Sequence, residues 1–195
     1  MDKERFQKQL DFILEADKEK NILRQTHLSG HGRRENDAEH AWHMAIMIYL
    51  LKEYANETFD VAKAMMMALT HDIVEIDAGD TYAYDSKGLE IQKEREEAAA
   101  ERIYGMLPED QKAELKELFE EFEEGETPEA RFARAMDNFQ PLLLNNSNGG
   151  SDWREHGVSK AKVLGRHQST RRGSEMIGEY SEQIIEENVK KGNIL

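Results

Sequence analysis

The chain's 195 residues suit one domain with room for a real core, and its 38% apolar and 34% charged residues suit a soluble globular protein. A formal net charge of -14 argues against nucleic-acid polymers and anionic membranes as partners, although a small anionic substrate stays possible where a metal and a few arginines reverse the field. With no cysteine there is no disulfide framework and no thiolate chemistry, so any metal must be held by histidines and carboxylates.

Only 3 prolines and long runs of Glu, Lys, Ala, Leu and Met point to an all-helical protein. The opening MDKERFQKQL lacks the apolar centre of a signal peptide. Residues 2–16 form an amphipathic helix with Phe6, Leu10, Ile13 and Leu14 on one side. Residues 21–36 read as irregular. Asn36 and Glu39 have capping-box spacing, so a helix starts at Asn36, and Ala41, Met44, Ala45, Ile48 and Leu51 follow helical periodicity. The longest clean apolar run, Met44 to Leu51, is far shorter than the roughly twenty residues that span a bilayer. A cytoplasmic protein is the expectation.

A third helix runs from about Asp60 to about Ile76, its stripe of Val61, Ala64, Met65 and Ala68 continuing into Asp72 and Glu75. After a turn near Gly79, a charged helix spans about Gly88 to Gly105, and Pro108 opens the next at its first turn. That helix ends in FEEFEEGE, a solvated acidic face. Thr127 and Pro128 are an N-cap followed by proline at the first helical position; Pro141 should kink or weaken the helix that follows. Residues 145–153 read as a polar loop, and one or two more helices finish the chain.

The chemistry-bearing residues are His40, the pair His71-Asp72, and Asp137. Asp72 lies on a buried stripe, and an unpaired buried carboxylate is costly, so it needs a cation or donors. A mixed imidazole and carboxylate set suits Mn, Co, Fe, Ni or Zn, and Mg less well. Four protein ligands on an octahedral ion leave two positions for a phosphate oxygen and a water. Glu75, three residues after Asp72, shares its helix face and could move protons there. Spacing alone leaves a plainer reading open: a lone His-Asp dipeptide arises by chance, and His40 by itself is more commonly a satisfied histidine. His43 reads as a packing residue, His27 and His31 as surface residues, and the methionines at 44, 47, 65, 66, 67 and 106 as core filler.

Taken together, ENDAEH around His40, THDIVEIDAGD (70–80), KEREEAA and ARAMDN (133–138) resemble the HD superfamily of metal-dependent phosphohydrolases. The likeness runs from about residue 5 to about residue 180 and points to the branch of bacterial 5'-deoxynucleotidases and their human relative. It implies an all-α, single-domain HD helical bundle over residues 1–195, with a motif core of about 36–140 and C-terminal helices packed on it. It implies His40, His71, Asp72 and Asp137 as ligands of one divalent ion, Glu75 as the catalytic glutamate, and Asp80 as a sugar contact. One departure stands out. That branch has an Arg-Trp pair before the first ligand histidine; here the equivalent is Arg24-Gln25, with one extra residue of spacing. Arg24 can still clamp phosphate, whereas the missing Trp leaves ribose-against-deoxyribose preference open. Arg33 and Arg34 could also face substrate, or simply pair with surface acids.

Residues 73–136 contain no histidine, which argues for one ion and against two-metal and oxygenase relatives. Alarmone hydrolases carry Glu-Asp where this chain has Glu75-Ile76. The resemblance therefore implies a phosphomonoesterase acting on (deoxy)nucleoside monophosphates, as a homodimer. The alternatives are hydrolysis of another small phosphorylated metabolite and a metal-containing binding module without turnover. NGGSDWREHG, with Trp153 and His156, resembles a stretch of bacterial members; Trp153 is read as packing.

Overall fold

The structure, a computed structural model, describes residues 2–80 and 86–195. Its elements in chain order are α1 (Lys3–Ala16), β1 (Leu23–His27), β2 (Arg34–Asn36), α2 (Asp37–Leu51), α3 (Val61–Thr70), α4 (Glu75–Ala78) and α5 (Ser86–Tyr104). They continue with α6 (Glu109–Glu124), α7 (Pro128–Ser147), α8 (Ser151–Glu155), α9 (Lys160–His167), α10 (Thr170–Gly173) and α11 (Glu175–Lys190). The fold is all-α apart from the small β1–β2 ladder. No helix among the described residues is long and apolar enough to cross a membrane.

The principal core gathers on α7. Its Phe132, Ala133, Met136 and Leu142 pack with Met44 and Ile48 of α2, Ala64 and Met67 of α3, and Ile184 and Ile185 of α11. Thr127 Oγ1 accepts from Ala130 N at 3.2 Å and Pro128 occupies the first turn, as its sequence implied. Pro141 does not end this helix, which runs on to Ser147. The loop expected over 145–153 is correspondingly wrong: α7 claims its first residues and α8 its last. Pro108 sits at the N-cap of α6 rather than inside its first turn. Met66 is exposed, the exception among the core methionines.

Two other departures matter for the site. Residues 21–36 are not irregular: β1 and β2 pair antiparallel, with Leu23 opposite Asn36 and His27 opposite Arg34. Gly30 and His31 turn the chain with φ of 79° and 58°. The buried Asn148, just past α7, holds this hairpin: its Nδ2 donates to the carbonyls of His27 and Leu28, and its Oδ1 accepts from His31 N. A long-range side chain thus supplies what local pattern does not. The third helix, expected to continue to Ile76, stops at Thr70 and passes through a 3-10 turn, His71–Val74, into α4. Thr70 has φ -123°, and its carbonyl accepts from the buried Tyr104 hydroxyl at 3.1 Å.

Candidate metal centre

The Asn36–Glu39 capping box is formed, with Asn36 Oδ1 accepting from Glu39 N at 2.9 Å and Glu39 Oε2 accepting from Asn36 N at 3.1 Å. It fixes the start of α2 and puts His40, one turn later, fully inside the protein. His40 Nδ1 lies 3.0 Å from Gln140 Oε1, and Gln140 Nε2 donates to Glu35 Oε2 at 2.9 Å. On the 3-10 turn, His71 Nδ1 lies 3.0 Å from the carbonyl of Ala68. A carbonyl oxygen only accepts, so both Nδ1 atoms carry the proton and both Nε2 atoms are left for the site. His71 Nε2 is 2.9 Å from Asp72 Oδ1, and His40 Nε2 is 3.1 Å from Asp137 Oδ1. Ligand atoms of His40, His71 and Asp72 all lie within 4.8 Å of one another.

The electrostatics call for a cation. Arg24 is the central guanidinium: Nη1 is 2.9 Å from Asp72 Oδ2 and 3.4 Å from Asp37 Oδ1, and Nε is 3.8 Å from Glu35 Oε1. One guanidinium is too little for the carboxylates around it. Burial, then the Asp72 and Asp37 charges, push Glu75 up to about 11. Burial and Asp72 likewise push Asp37 up to about 8, and burial raises Glu35 to about 7. Burial would raise Asp72 too, but the hydrogen-bonded His71 and nearby Arg24 hold it at about 2. Asp137 is held well below the usual carboxylate range, against burial, by His40 and Arg166. His40 is pushed down to about 4 by burial and Arg24, which keeps it neutral, whereas against burial the Asp72 charge raises His71 to about 9, so its Nε2 proton must leave for a cation to take its place beside Asp72. Buried oxygens of Glu75, Asp37 and Glu35 have no hydrogen-bond partner among the described residues. Two oriented imidazoles, two ionised carboxylates and unpartnered acidic oxygens fit a divalent cation.

Part of this cluster forms the wall of a cavity of about 340 Å³. His71, Asp72, Glu75, Asp137, Arg24 and Asp80 all line it, so the structure brings together most of the residues singled out from sequence. Arg33 is not brought there: it is exposed and ion-paired to Glu39. Gln25 lines the same cavity. His43 is half-buried, with Nδ1 3.2 Å from Gln140 Nε2, in keeping with a packing role. His27, expected at the surface, is partly buried instead, its Nδ1 2.8 Å from Asp152 Oδ1. Trp153 is buried in the main core and also touches the cavity. Sequence reasoning missed Glu35, Asp37, Gln140 and Arg166. Gln140, one helical turn after Asp137, was the one whose spacing could have marked it.

Comparison with known proteins places the chain in a family. The profile of the HD domain family matches residues 16–177. Human 5'-deoxynucleotidase HDDC2 is 33% identical over 111 residues, 57% of this chain and 53% of that protein. The 5'-deoxynucleotidase hdd1 of Schizosaccharomyces pombe is 29% identical over 112 residues, 55% of each. The chain thus spans about half the length of the curated relatives it matches. The crystal structure of a predicted metal-dependent phosphohydrolase from Magnetospirillum magnetotacticum superposes with a TM-score of 0.93 at 47% identity, covering 97% of this chain and 95% of that one. The family profile covers most of the residues that build the site, from Glu19 to Arg166, and the chain belongs to the HD-domain family.

Proposed function

We propose that this chain is a metal-dependent phosphomonoesterase that removes the 5'-phosphate from (deoxy)nucleoside monophosphates, working in the cytoplasm as a homodimer of single HD domains. The observation that carries this reading is the meeting of His40, His71 and Asp72, the last two at the wall of a cavity that Arg24 also lines. The nucleotidase names of its partial-length relatives support the substrate class. In this reading His40, His71, Asp72 and Asp137 hold one ion: Mn, Co, Fe, Ni or Zn rather than Mg, given two imidazoles. The bound ion would polarise the phosphate and lower the pKa of a water.

The chain's own residues do the rest. Gln140 and the Ala68 carbonyl keep both imidazoles in the ligating tautomer. Arg24, braced by Asp72, binds a phosphate oxygen through its remaining donors. Glu75, buried at the wall and ionised when a cation is bound, accepts the proton of the attacking water and returns one to the leaving 5'-oxygen. Asp80, at the same wall, accepts from a sugar hydroxyl. Gln25, where the resemblance leads one to expect Trp, bears on the sugar.

The reading is tested by assaying the manganese- and cobalt-loaded protein against ribo- and deoxyribonucleoside monophosphates. Release of inorganic phosphate is expected. No release from any monophosphate with any metal would sink the nucleotidase reading. Glu75→Ala should retain the ion while losing turnover by roughly 10²- to 10⁴-fold, whereas Asp72→Ala should lose both. Normal turnover by Glu75→Ala would remove that residue from its assigned role.

A further inference from the structure

Three guanidiniums reach the cavity wall, from Arg24, Arg134 and Arg166. They differ in what already occupies them. Arg24 is ringed by Asp72, Asp37 and Glu35, and its side chain is 11% exposed. Arg134 is spent on structure: Nη1 donates to the carbonyls of Phe122 and Glu123 at 3.0 Å each, and the guanidinium lies over the Phe122 ring. Arg166, in the last turn of α9, has a single ion pair among the described residues. Its Nη2 lies 3.8 Å from Asp137 Oδ2, beyond hydrogen-bond length, and its side chain is 26% exposed.

We propose that Arg166 is a second phosphate-binding residue, reaching the substrate's phosphate from the Asp137 side of the cluster as Arg24 does from the Asp72 side. The proposal rests on the phosphohydrolase reading of this cavity. Charge argues for it. The wall also carries Asp72, Glu75, Asp80 and Asp137, so an incoming phosphate dianion meets carboxylates wherever it is not facing a cation. Arg24's charge is already engaged by the ionised Asp72, to which it donates. Arg166 is the least engaged of the three guanidiniums, and it lines the same wall as Asp80 and Asp137. Its planar fork can bind two phosphate oxygens at once. The proposal also gives a purpose to the C-terminal helices, whose sequence suggested packing alone.

The competing account is that Arg166 merely steadies Asp137. Binding experiments on the full-length, manganese-loaded protein separate the two. Manganese affinity and inorganic-phosphate affinity would be measured by calorimetry for wild type, Arg166→Gln and Arg166→Lys, with kcat and KM on nucleoside monophosphates. Arg166→Gln should weaken phosphate binding by roughly 10- to 100-fold while manganese affinity stays within about threefold. Arg166→Lys, which keeps the charge but loses the fork, should fall between and also certifies that the position tolerates change. Unaltered phosphate affinity in Arg166→Gln, or a matching fall in manganese affinity, would overturn the proposal. Arg166-dependent phosphate binding in a protein that hydrolyses no monophosphate would uphold it and reject only the nucleotidase reading.

Discussion

Gln140 illustrates how much the site depends on residues that never need touch the ion. It holds His40 Nδ1 on one side and Glu35 on the other, wholly inside the protein. Gln140→Leu removes the acceptor and leaves a buried N–H unpaired, so divalent-ion affinity should fall roughly 10- to 100-fold, read by titration calorimetry. Gln140→Glu, which keeps an acceptor, should lose less. Glu19 offers a test on pH. It is buried, its Oε1 lacks a partner among the described residues, and burial followed by the Asp72 charge raises it to about 7 from 4.5. The folded state therefore keeps this proton longer than the unfolded chain does. The associated stability is complete below about pH 4.5, falls as pH rises toward 7, and is flat above. In chelator, Glu19→Gln should remove that decline and melt higher than wild type at pH 8, by on the order of 3 kcal/mol at most. Equal pH profiles for the two proteins would refute the assignment.

At the level of elements, the site is set by where helices stop and how closely they lie. The 3-10 turn that follows α3 carries His71 and Asp72, and Tyr104 from α5 captures the Thr70 carbonyl there. Behind the site, α10 lies directly on α7. A Cβ added to Gly173 would stand 2.3 Å from the Arg131 carbonyl oxygen and 2.9 Å from Ala135 Cβ. Backbone cannot yield as a flexible side chain can, so Gly173→Ala must push the two helices apart. It should cost roughly 1–3 kcal/mol, lowering Tm by several degrees in a thermal melt. A melt unchanged from wild type would show that α10 is free to shift.

For the molecule as a whole, the proposed homodimer has a surface to use. Trp42, Ile46, Tyr49 and Leu50 repeat at helical spacing on the outer face of α2 and are all exposed. Nothing charged lies between Glu39 and Lys52, although a third of the chain is charged. Light scattering should therefore give twice the chain mass, and Ile46→Lys with Tyr49→Lys should return the monomer. A wild-type monomer at micromolar concentration would reject the homodimer. A dimer that survives both substitutions would place its contact on another face.

By itself the sequence determined the helical class, the capping box, the Thr127–Pro128 helix start and the four ligand candidates. These are legible because caps, apolar periodicity and short motifs are local signals. Only the tertiary structure decided that residues 21–36 form a hairpin, since Asn148, more than a hundred residues away, holds it. It likewise decided that Arg24 faces the cluster while Arg33 does not, and that Gln140 and Glu35 stand behind His40. The site the sequence marked with four ligands turns out to be surrounded by a larger set of buried charges. Their proximity comes from packing between distant segments, which no local spacing encodes.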